Sequence, residues 1–196
     1  MNEIPMPDYD RHAPRSVVGT RLIMSYESFY ERFRELALRE TRSITISKNP
    51  LLPDDEYGFL EMYCNDEACD CRRVMFTVAS AKHHNFLAVI AYGWESKAFY
   101  EKWYRRKDPD VIRELQGPIL NPMSEQSALA PALLVLVRKT LLKDPAYIER
   151  LKRHYRIFKE TVDPEHFKHT GDQPGAQHTL LHNARHKRKS RSQSNE

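Results

Sequence analysis

The chain has 196 residues, 40% hydrophobic and 30% charged, and this ordinary globular composition allows one sizeable core and excludes collagen-like, mucin-like and wholly disordered chains. The formal net charge is +4, and residues 166–196 supply all of it, because their six Lys or Arg face two acidic residues. A surface that attracts polyanions is therefore predicted in that last segment. The most apolar segment, 128–137, is too short to span a bilayer, so no membrane partner is expected.

Residues 1–19 lack periodicity and predict an irregular N-terminal segment. Aromatic and aliphatic residues then recur at helical spacing and predict an amphipathic helix over 26–40. Four short β-prone segments follow, at 43–47, 57–63, 72–80 and 86–92. Their short links favour antiparallel neighbours, because parallel strands need long crossovers. The expectation is a four-stranded antiparallel sheet.

Helices are predicted in the second half of the chain. An aromatic stripe indicates a helix over 95–106, and three Asp-Pro steps predict helix starts near Pro109, Pro145 and Pro164. Residues 130–142 are apolar on nearly all sides and predict a central buried helix. The predicted fold is a single α+β domain over 20–165, with helices covering the sheet and a disordered, His-rich basic tail over 166–196.

Cys64, Cys69 and Cys71 are the three cysteines of the chain, and they fall between the second and third predicted strands. An odd, bunched set fits thiolate chemistry in a reducing compartment better than a disulfide framework, so a cytoplasmic location is expected. A sharp loop between two strands can bring three sulfurs around one tetrahedral ion. The spacing predicts a zinc ion that staples this hairpin loop; reduced structural thiols are the alternative.

A three-thiolate site needs a fourth ligand. His83 and His84 are excluded by geometry, because an extended strand over 72–80 carries the following turn to the opposite end of the sheet. His154 is the preferred ligand, since it lies beside the inward face of the last predicted helix, although a hydrogen bond at the core edge explains it equally well. Asp66, Asp70 or a water are the remaining candidates, and a water would leave the site open for catalysis.

Several strings carry a family resemblance. They are Glu61 to Val74 with its Cys-Asp-Cys-Arg-Arg core, Gly93-Trp94-Glu95, Phe99-Tyr100 to Trp103, and Arg153-His154-Tyr155 to Phe158-Lys159. Together they resemble an uncharacterised bacterial family, some members of which also carry a terminal SEC-C type zinc motif. The resemblance covers about the middle two thirds of the chain and implies a metal-binding module without implying a reaction. This chain has no cysteine after Cys71, so it lacks the terminal motif.

The chain contains no nucleophile elbow, no phosphate-binding glycine-rich loop and no His-Glu-x-x-His. The preferred function is therefore a cytoplasmic zinc-binding accessory or interaction protein. The alternative is a small zinc-dependent hydrolase or a thiol redox enzyme with an open site at the cysteines. Arg72 and Arg73 favour a reactive thiolate. Under the zinc interpretation they hydrogen-bond carboxylates or offset thiolate charge, and this is the preferred role.

The basic tail allows three interpretations. It binds nucleic acid without strong sequence preference, or an acidic protein, through Arg185, Lys187, Arg188, Lys189 and Arg191. Alternatively His178, His182 and His186, spaced every fourth residue, bind a transition metal if the segment becomes helical. The third interpretation is an unstructured solubilising terminus.

Overall fold

The computed structural model describes residues 26–167, and the predictions for residues 1–19 and 168–196 lie outside that part of the chain. The strands are β1 (Tyr26–Ser28), β2 (Arg42–Ile46), β3 (Asp55–Cys64), β4 (Arg73–Ser80), β5 (Phe86–Gly93) and β6 (Ile119–Leu120). The helices are α1 (Phe29–Arg32), α2 (Arg34–Glu40), α3 (Lys97–Tyr104), α4 (Pro109–Gln116), α5 (Ala130–Lys139) and α6 (Pro145–Val162), with a 3₁₀ turn at Leu141–Lys143. The mixed helix and sheet architecture is confirmed.

Within residues 26–167 the sheet has six antiparallel strands, two more than the sequence predicted. The order is β1-β3-β4-β5-β6. Strands β1 and β2 lie on the same edge of β3, where β1 pairs with residues 62–64 and β2 with residues 55–59. The four predicted strands are β2 to β5. The short strands β1 and β6 carry little local periodicity, because two or three residues are too few to show a pattern and their partners are distant in sequence.

The predicted helix over 26–40 is wrong at its start and its centre. Tyr26–Ser28 pair with the end of β3, with Tyr26 opposite Cys64. Phe33 has φ −130° and ψ 51°, which is not helical, and it separates α1 from α2. The strand pairing that overrides helix propensity is tertiary, so the local sequence does not show it.

The core lies between the sheet and the helices that cover it. Alternate residues of β3 point toward it, namely Tyr57, Phe59 and Tyr63, and they meet apolar side chains of α5 and α6. Glu61 occupies the same inward face and is 4% exposed. A buried carboxylate in this row requires polar partners.

The helix starts at Pro109 and Pro145 are confirmed, whereas at the third Asp-Pro step Asp163 ends α6 and a turn follows. Asp108 accepts hydrogen bonds from two amides of the first turn of α4, and Asp144 accepts one from Ala146. The prediction of an all-round buried helix over 130–142 is wrong, because α5 ends at Lys139 and Val135 is 39% exposed. A run of apolar residues does not fix which side faces solvent. In the described part of the chain, the helices are too short or too polar to cross a membrane.

Candidate metal centre

The three cysteines converge at one end of the sheet. Cys64 is the last residue of β3, and Cys69 and Cys71 lie in the loop that leads to β4. Their Sγ atoms all lie within 4.8 Å of one another, and this set is called the cysteine group below. Cys64 and Cys71 are buried, while Cys69 is partly exposed. The predicted convergence of three sulfurs in a strand-to-strand loop is present.

The loop over 65–72 folds around its own polar groups. The Asp66 carboxylate accepts the Ala68 amide at 2.9 Å, and the Asp66 carbonyl accepts the Cys69 amide at 3.1 Å. The same carbonyl accepts a hydrogen bond at 2.7 Å from Nζ of Lys159, a fully buried residue of α6. The loop is therefore bound to the helix as well as to the strands.

Arg72 holds the end of this loop. Its backbone has φ 47°, a left-handed conformation that is uncommon for a residue with a side chain. The Arg72 carbonyl accepts the Tyr100 hydroxyl at 3.0 Å, and the guanidinium bonds Asp70 at 3.1 Å and Glu95 at 3.0 Å. The guanidinium also lies over the Phe99 ring, 5.1 Å from its centroid. The predicted role of Arg72, hydrogen bonding to carboxylates, is confirmed.

Gly93 leaves room for the Tyr100 hydroxyl that bonds the Arg72 carbonyl. A Cβ atom at Gly93 would lie 2.1 Å from the Tyr100 hydroxyl and 2.5 Å from the Leu115 carbonyl oxygen. Only a residue without a side chain permits this approach between β5, α3 and α4.

Asp70 lies between two of the cysteines in sequence and is 1% exposed. Its carboxylate accepts the Tyr155 hydroxyl at 3.0 Å and lies 3.5 Å from Nε2 of His166. Burial raises the pKa of Asp70, but the partners His166 and Arg72 outweigh burial and bring it to about 2. Asp70 is therefore a charged anchor for the loop, and its oxygens already have protein partners.

The sulfurs influence one another's ionisation. Hydrogen bonds from Cys64 and Cys69 hold the pKa of Cys71 well below its usual range, and the Tyr26 hydroxyl, 3.7 Å from its Sγ, and the charge of Arg73 act in the same direction. The bonds to Cys64 and Cys71, together with burial, raise the pKa of Cys69. The Cys69 bond lowers the pKa of Cys64, but the Cys71 bond and burial raise it to about 12. The proximity of the three sulfurs thus favours the ionised form of Cys71 over that of Cys64 or Cys69.

The prediction of His154 as the fourth ligand is wrong. His154 is 1% exposed, and its Nδ1 lies 2.7 Å from Glu61 while its Nε2 lies 3.0 Å from Glu40. Its ring stacks on Phe29 at 4.3 Å. Both ring nitrogens are occupied by carboxylates, so neither is available to a metal. The alternative interpretation, a histidine hydrogen-bonded at the core edge, describes this residue. Glu40, Glu61, Tyr63 and His154 are called the His154 cluster below.

The exclusion of His83 and His84 is confirmed. Both are exposed in the turn between β4 and β5, and in that hairpin Arg73 at the cysteine end pairs with Gly93 while Ala79 at the turn end pairs with Phe86. Among residues 26–167, the cysteine group is the cluster of His, Cys, Asp or Glu side chains whose ligand atoms lie close enough together to hold one metal ion. Neither Asp66 nor Asp70, the other predicted candidates, contributes an atom to it. The five basic tail residues and His178, His182 and His186 lie outside the described residues.

Sequence reasoning missed three residues of this site: Tyr26, Lys159 and His166. Lys159 carried a usable signal, because it lies four residues after Tyr155 and eight after Leu151, on the apolar stripe of α6. A lysine on a buried stripe needs a polar partner, which the cysteine loop provides. His166 was assigned to the tail, yet it is 4% exposed and packs near Asp70.

Comparison of the chain with protein-family models, with curated proteins and with solved structures gives no match.

Proposed function

We propose that this protein is a zinc-binding accessory protein in which Cys64, Cys69 and Cys71 hold one Zn²⁺ that staples the loop between β3 and β4. The observation that carries the proposal is the spacing of the three Sγ atoms, all within 4.8 Å of one another. Thiolates bind tetrahedral Zn²⁺ at about 2.3 Å, so sulfurs around one ion lie about 4 Å apart. Small adjustments of the loop bring the three sulfurs to that distance.

The surroundings of the sulfurs support a structural ion. Three thiolates and one Zn²⁺ carry a net negative charge, and Arg73, whose charge acts on Cys71, together with the hydroxyl of Tyr26 offsets it. Two of the three sulfurs are buried, and the loop that contains them is fixed by Asp70, Arg72 and Lys159. Substrate access to a buried ion is poor, which favours a stabilising role. Free thiols that bind zinc are typical of a reducing compartment, and we place the protein in the cytoplasm.

The zinc content of the purified native chain tests this proposal. We expect about one zinc per chain, loss of zinc in Cys69→Ser/Cys71→Ser, and unchanged zinc in the control His83→Gln, which removes a ligand-type side chain from the other end of the sheet. Substitution with Co²⁺ adds a second readout, because thiolate-to-cobalt charge-transfer absorption falls with each cysteine removed. A native chain that folds with three reactive thiols and no metal contradicts the proposal.

One observation favours a second candidate, a zinc-dependent hydrolase or a thiol redox enzyme. Among the described residues the group offers three donors, and a tetrahedral ion takes four ligands. A water in the fourth position would be activated for hydrolysis. Metal-dependent cleavage of ester or phosphoester probes that Cys69→Ser abolishes, in a variant that stays folded, selects the enzyme over the accessory protein.

Two further parts of the proposal concern the tail and the family. We propose that Arg185, Lys187, Arg188, Lys189 and Arg191 attach the protein to nucleic acid through phosphate contacts, since clustered Lys and Arg side chains bind phosphates without reading bases. Salt-dependent binding of a random-sequence duplex, lost when these five residues become Gln, tests this part of the proposal.

We also propose membership of the bacterial family that the Cys-Asp-Cys-Arg-Arg string resembles.

A further inference from the structure

A cleft of about 360 Å³ opens between α6 and the segment that joins β5 to α3. This volume lies within the range of sites that hold small molecules. Arg72 and Tyr155 line the cleft, and both are bonded to Asp70 of the cysteine loop. The cysteine loop therefore positions one wall of the cleft.

A row of cations on α6 forms another part of the wall. Lys152, Arg153 and Arg156 recur at spacings of one, three and four residues, which places them along one helical stripe. Lys152 bonds Glu149 at 2.7 Å, and Arg153 bonds Glu40. Arg156 is exposed, and its guanidinium lies 5.1 Å from the centroid of the Phe167 ring. A guanidinium stacked on a ring keeps its N–H edge available to a phosphate.

Aromatic side chains complete the cleft. Trp94 and Phe167 line it and are both partly exposed, and the Trp94 ring packs edge-on against Tyr155 at 5.3 Å. Arginines beside accessible aromatic rings are typical of sites that bind nucleotides, because the ring stacks on a base while the cation contacts its phosphate. Glu95 and Glu149 at the same cleft can accept hydrogen bonds from the amino group of a base, a contact that an acidic peptide side chain does not offer.

We propose that this cleft binds a nucleotide unit, with its phosphate on Arg153 and Arg156 and its base against the aromatic wall. The unit is a free nucleotide or one residue of a single strand of RNA or DNA. The inference goes beyond the proposed zinc site and shares with it the cysteine loop, whose Asp70 bonds Arg72 and Tyr155. It differs from the tail proposal in its residues and in requiring a base as well as a phosphate.

The experiment uses the full chain, with zinc measured in every sample. Adenosine monophosphate and a fluorescein-labelled single-stranded oligouridylate are the two probes, and a polyglutamate peptide is the competitor. Arg153→Gln/Arg156→Gln removes two cleft cations. Lys102→Gln/Lys139→Gln is the matched control, because it removes the same charge from exposed positions on α3 and α5. A third variant changes the five tail cations to Gln.

We expect the cleft variant to bind adenosine monophosphate about tenfold more weakly and the control to change affinity less than about twofold. In a Trp103→Phe background, where Trp94 is the remaining tryptophan, nucleotide binding quenches the emission. Tail substitution leaves monophosphate binding unchanged. Oligouridylate that binds while the monophosphate does not, with the same dependence on Arg153 and Arg156, assigns the site to a single strand.

Three outcomes overturn the inference: equal monophosphate affinity in the cleft variant and the control, unchanged Trp94 emission, or displacement by polyglutamate at equal concentration. The last identifies an acidic peptide site. If the chain contains zinc but binds no nucleotide, the cleft proposal is wrong and the zinc proposal is supported. Nucleotide binding by a zinc-free chain supports the cleft and removes the zinc site.

Discussion

The loop that carries the cysteine group bonds α6 through Tyr155 and Lys159, and the His154 cluster includes His154 of the same helix. The two sites differ in how strongly their donor atoms are bonded. In the His154 cluster, one carboxylate oxygen of Glu61 bonds both His154 and Tyr63, at 2.7 and 2.8 Å. The second ring nitrogen of His154 bonds Glu40. In the cysteine group the three Sγ atoms lie within 4.8 Å of one another, and the Tyr26 hydroxyl lies 3.7 Å from Sγ of Cys71.

This difference separates a structural network from a candidate metal site. His154, Glu40 and Glu61 are ligand-type residues, but both ring nitrogens of His154 and one oxygen of each carboxylate are already bonded within the cluster. Three sulfurs that meet each other make weak hydrogen bonds, and a divalent cation replaces those bonds with much stronger ones. Removing either site should therefore destabilise the protein, while only one removal should affect metal binding.

The largest expected effect is removal of zinc. A strong chelator should lower the melting temperature of the native chain by more than 10 °C, on the order of several kcal/mol, because metal binding free energy is folding free energy. Cys69→Ser/Cys71→Ser should melt at the lower temperature with or without chelator. Differential scanning calorimetry measures both. A chelator that lowers the two melting temperatures equally would break the comparison.

Replacing His154 tests the other site. His154→Gln should cost about 2 to 3 kcal/mol, because Glu61 stays buried and loses a charge-assisted partner. Zinc content should remain that of the native chain. Urea denaturation gives the free energy of unfolding, and metal analysis gives the zinc content. The control is His83→Gln at an exposed position, which should change the free energy of unfolding by less than about 0.5 kcal/mol. Loss of zinc in His154→Gln would restore it as a ligand.

Replacing Lys159 tests whether α6 supports zinc binding by holding the cysteine loop. Lys159→Met keeps the length of a buried side chain and removes its bond to the Asp66 carbonyl. We expect zinc affinity to fall by about tenfold, at the low end of the effect of losing a supporting contact near a metal, because Lys159 bonds the loop backbone and not a ligand. Competition with a chromophoric chelator measures the affinity. An unchanged affinity would show that the loop is held without the helix.

Acid should weaken the His154 cluster through Glu40. Burial raises the pKa of Glu40, but the bond to His154 and the charges of Arg153 and Arg150 bring it below its usual 4.5. A carboxylate with a depressed pKa stabilises the fold above its unfolded pKa, and this stabilisation is lost as the pH falls from about 4.5 through the folded pKa. Urea denaturation between pH 6 and pH 3 should show a shallower loss for Glu40→Gln. Parallel curves would assign the acid sensitivity elsewhere.

The smallest effect on stability is expected from the tail. Deletion after Thr170 should change the free energy of unfolding by less than about 0.5 kcal/mol and leave the zinc content unchanged. Affinity for a nucleic acid duplex at low salt should fall strongly, because five clustered cations are removed. Fluorescence anisotropy at two salt concentrations measures this. Duplex affinity that survives the deletion would place the binding surface on the body.

Much of the architecture was predictable from local patterns. The period-two segments gave β2 to β5 within about two residues at each end, and the Asp-Pro steps gave the starts of α4 and α6. The convergence of the three sulfurs was predictable too, because only six residues separate Cys64 from Cys71, and this short link keeps the sulfurs close in any fold that pairs β3 with β4.

The partners of the buried polar residues were decided by the tertiary structure alone. His154 meets Glu61 across 93 residues of chain and Glu40 across 114, and no local pattern encodes such distances. The same holds for Tyr26, which pairs with β3, and for the exposed side of α5. Where apolar and polar residues alternate at the period of a strand or a helix, the pattern indicates which residues turn inward. Which inward residues meet depends on how the helices pack on the sheet, and that packing decides whether a histidine binds a carboxylate or a metal.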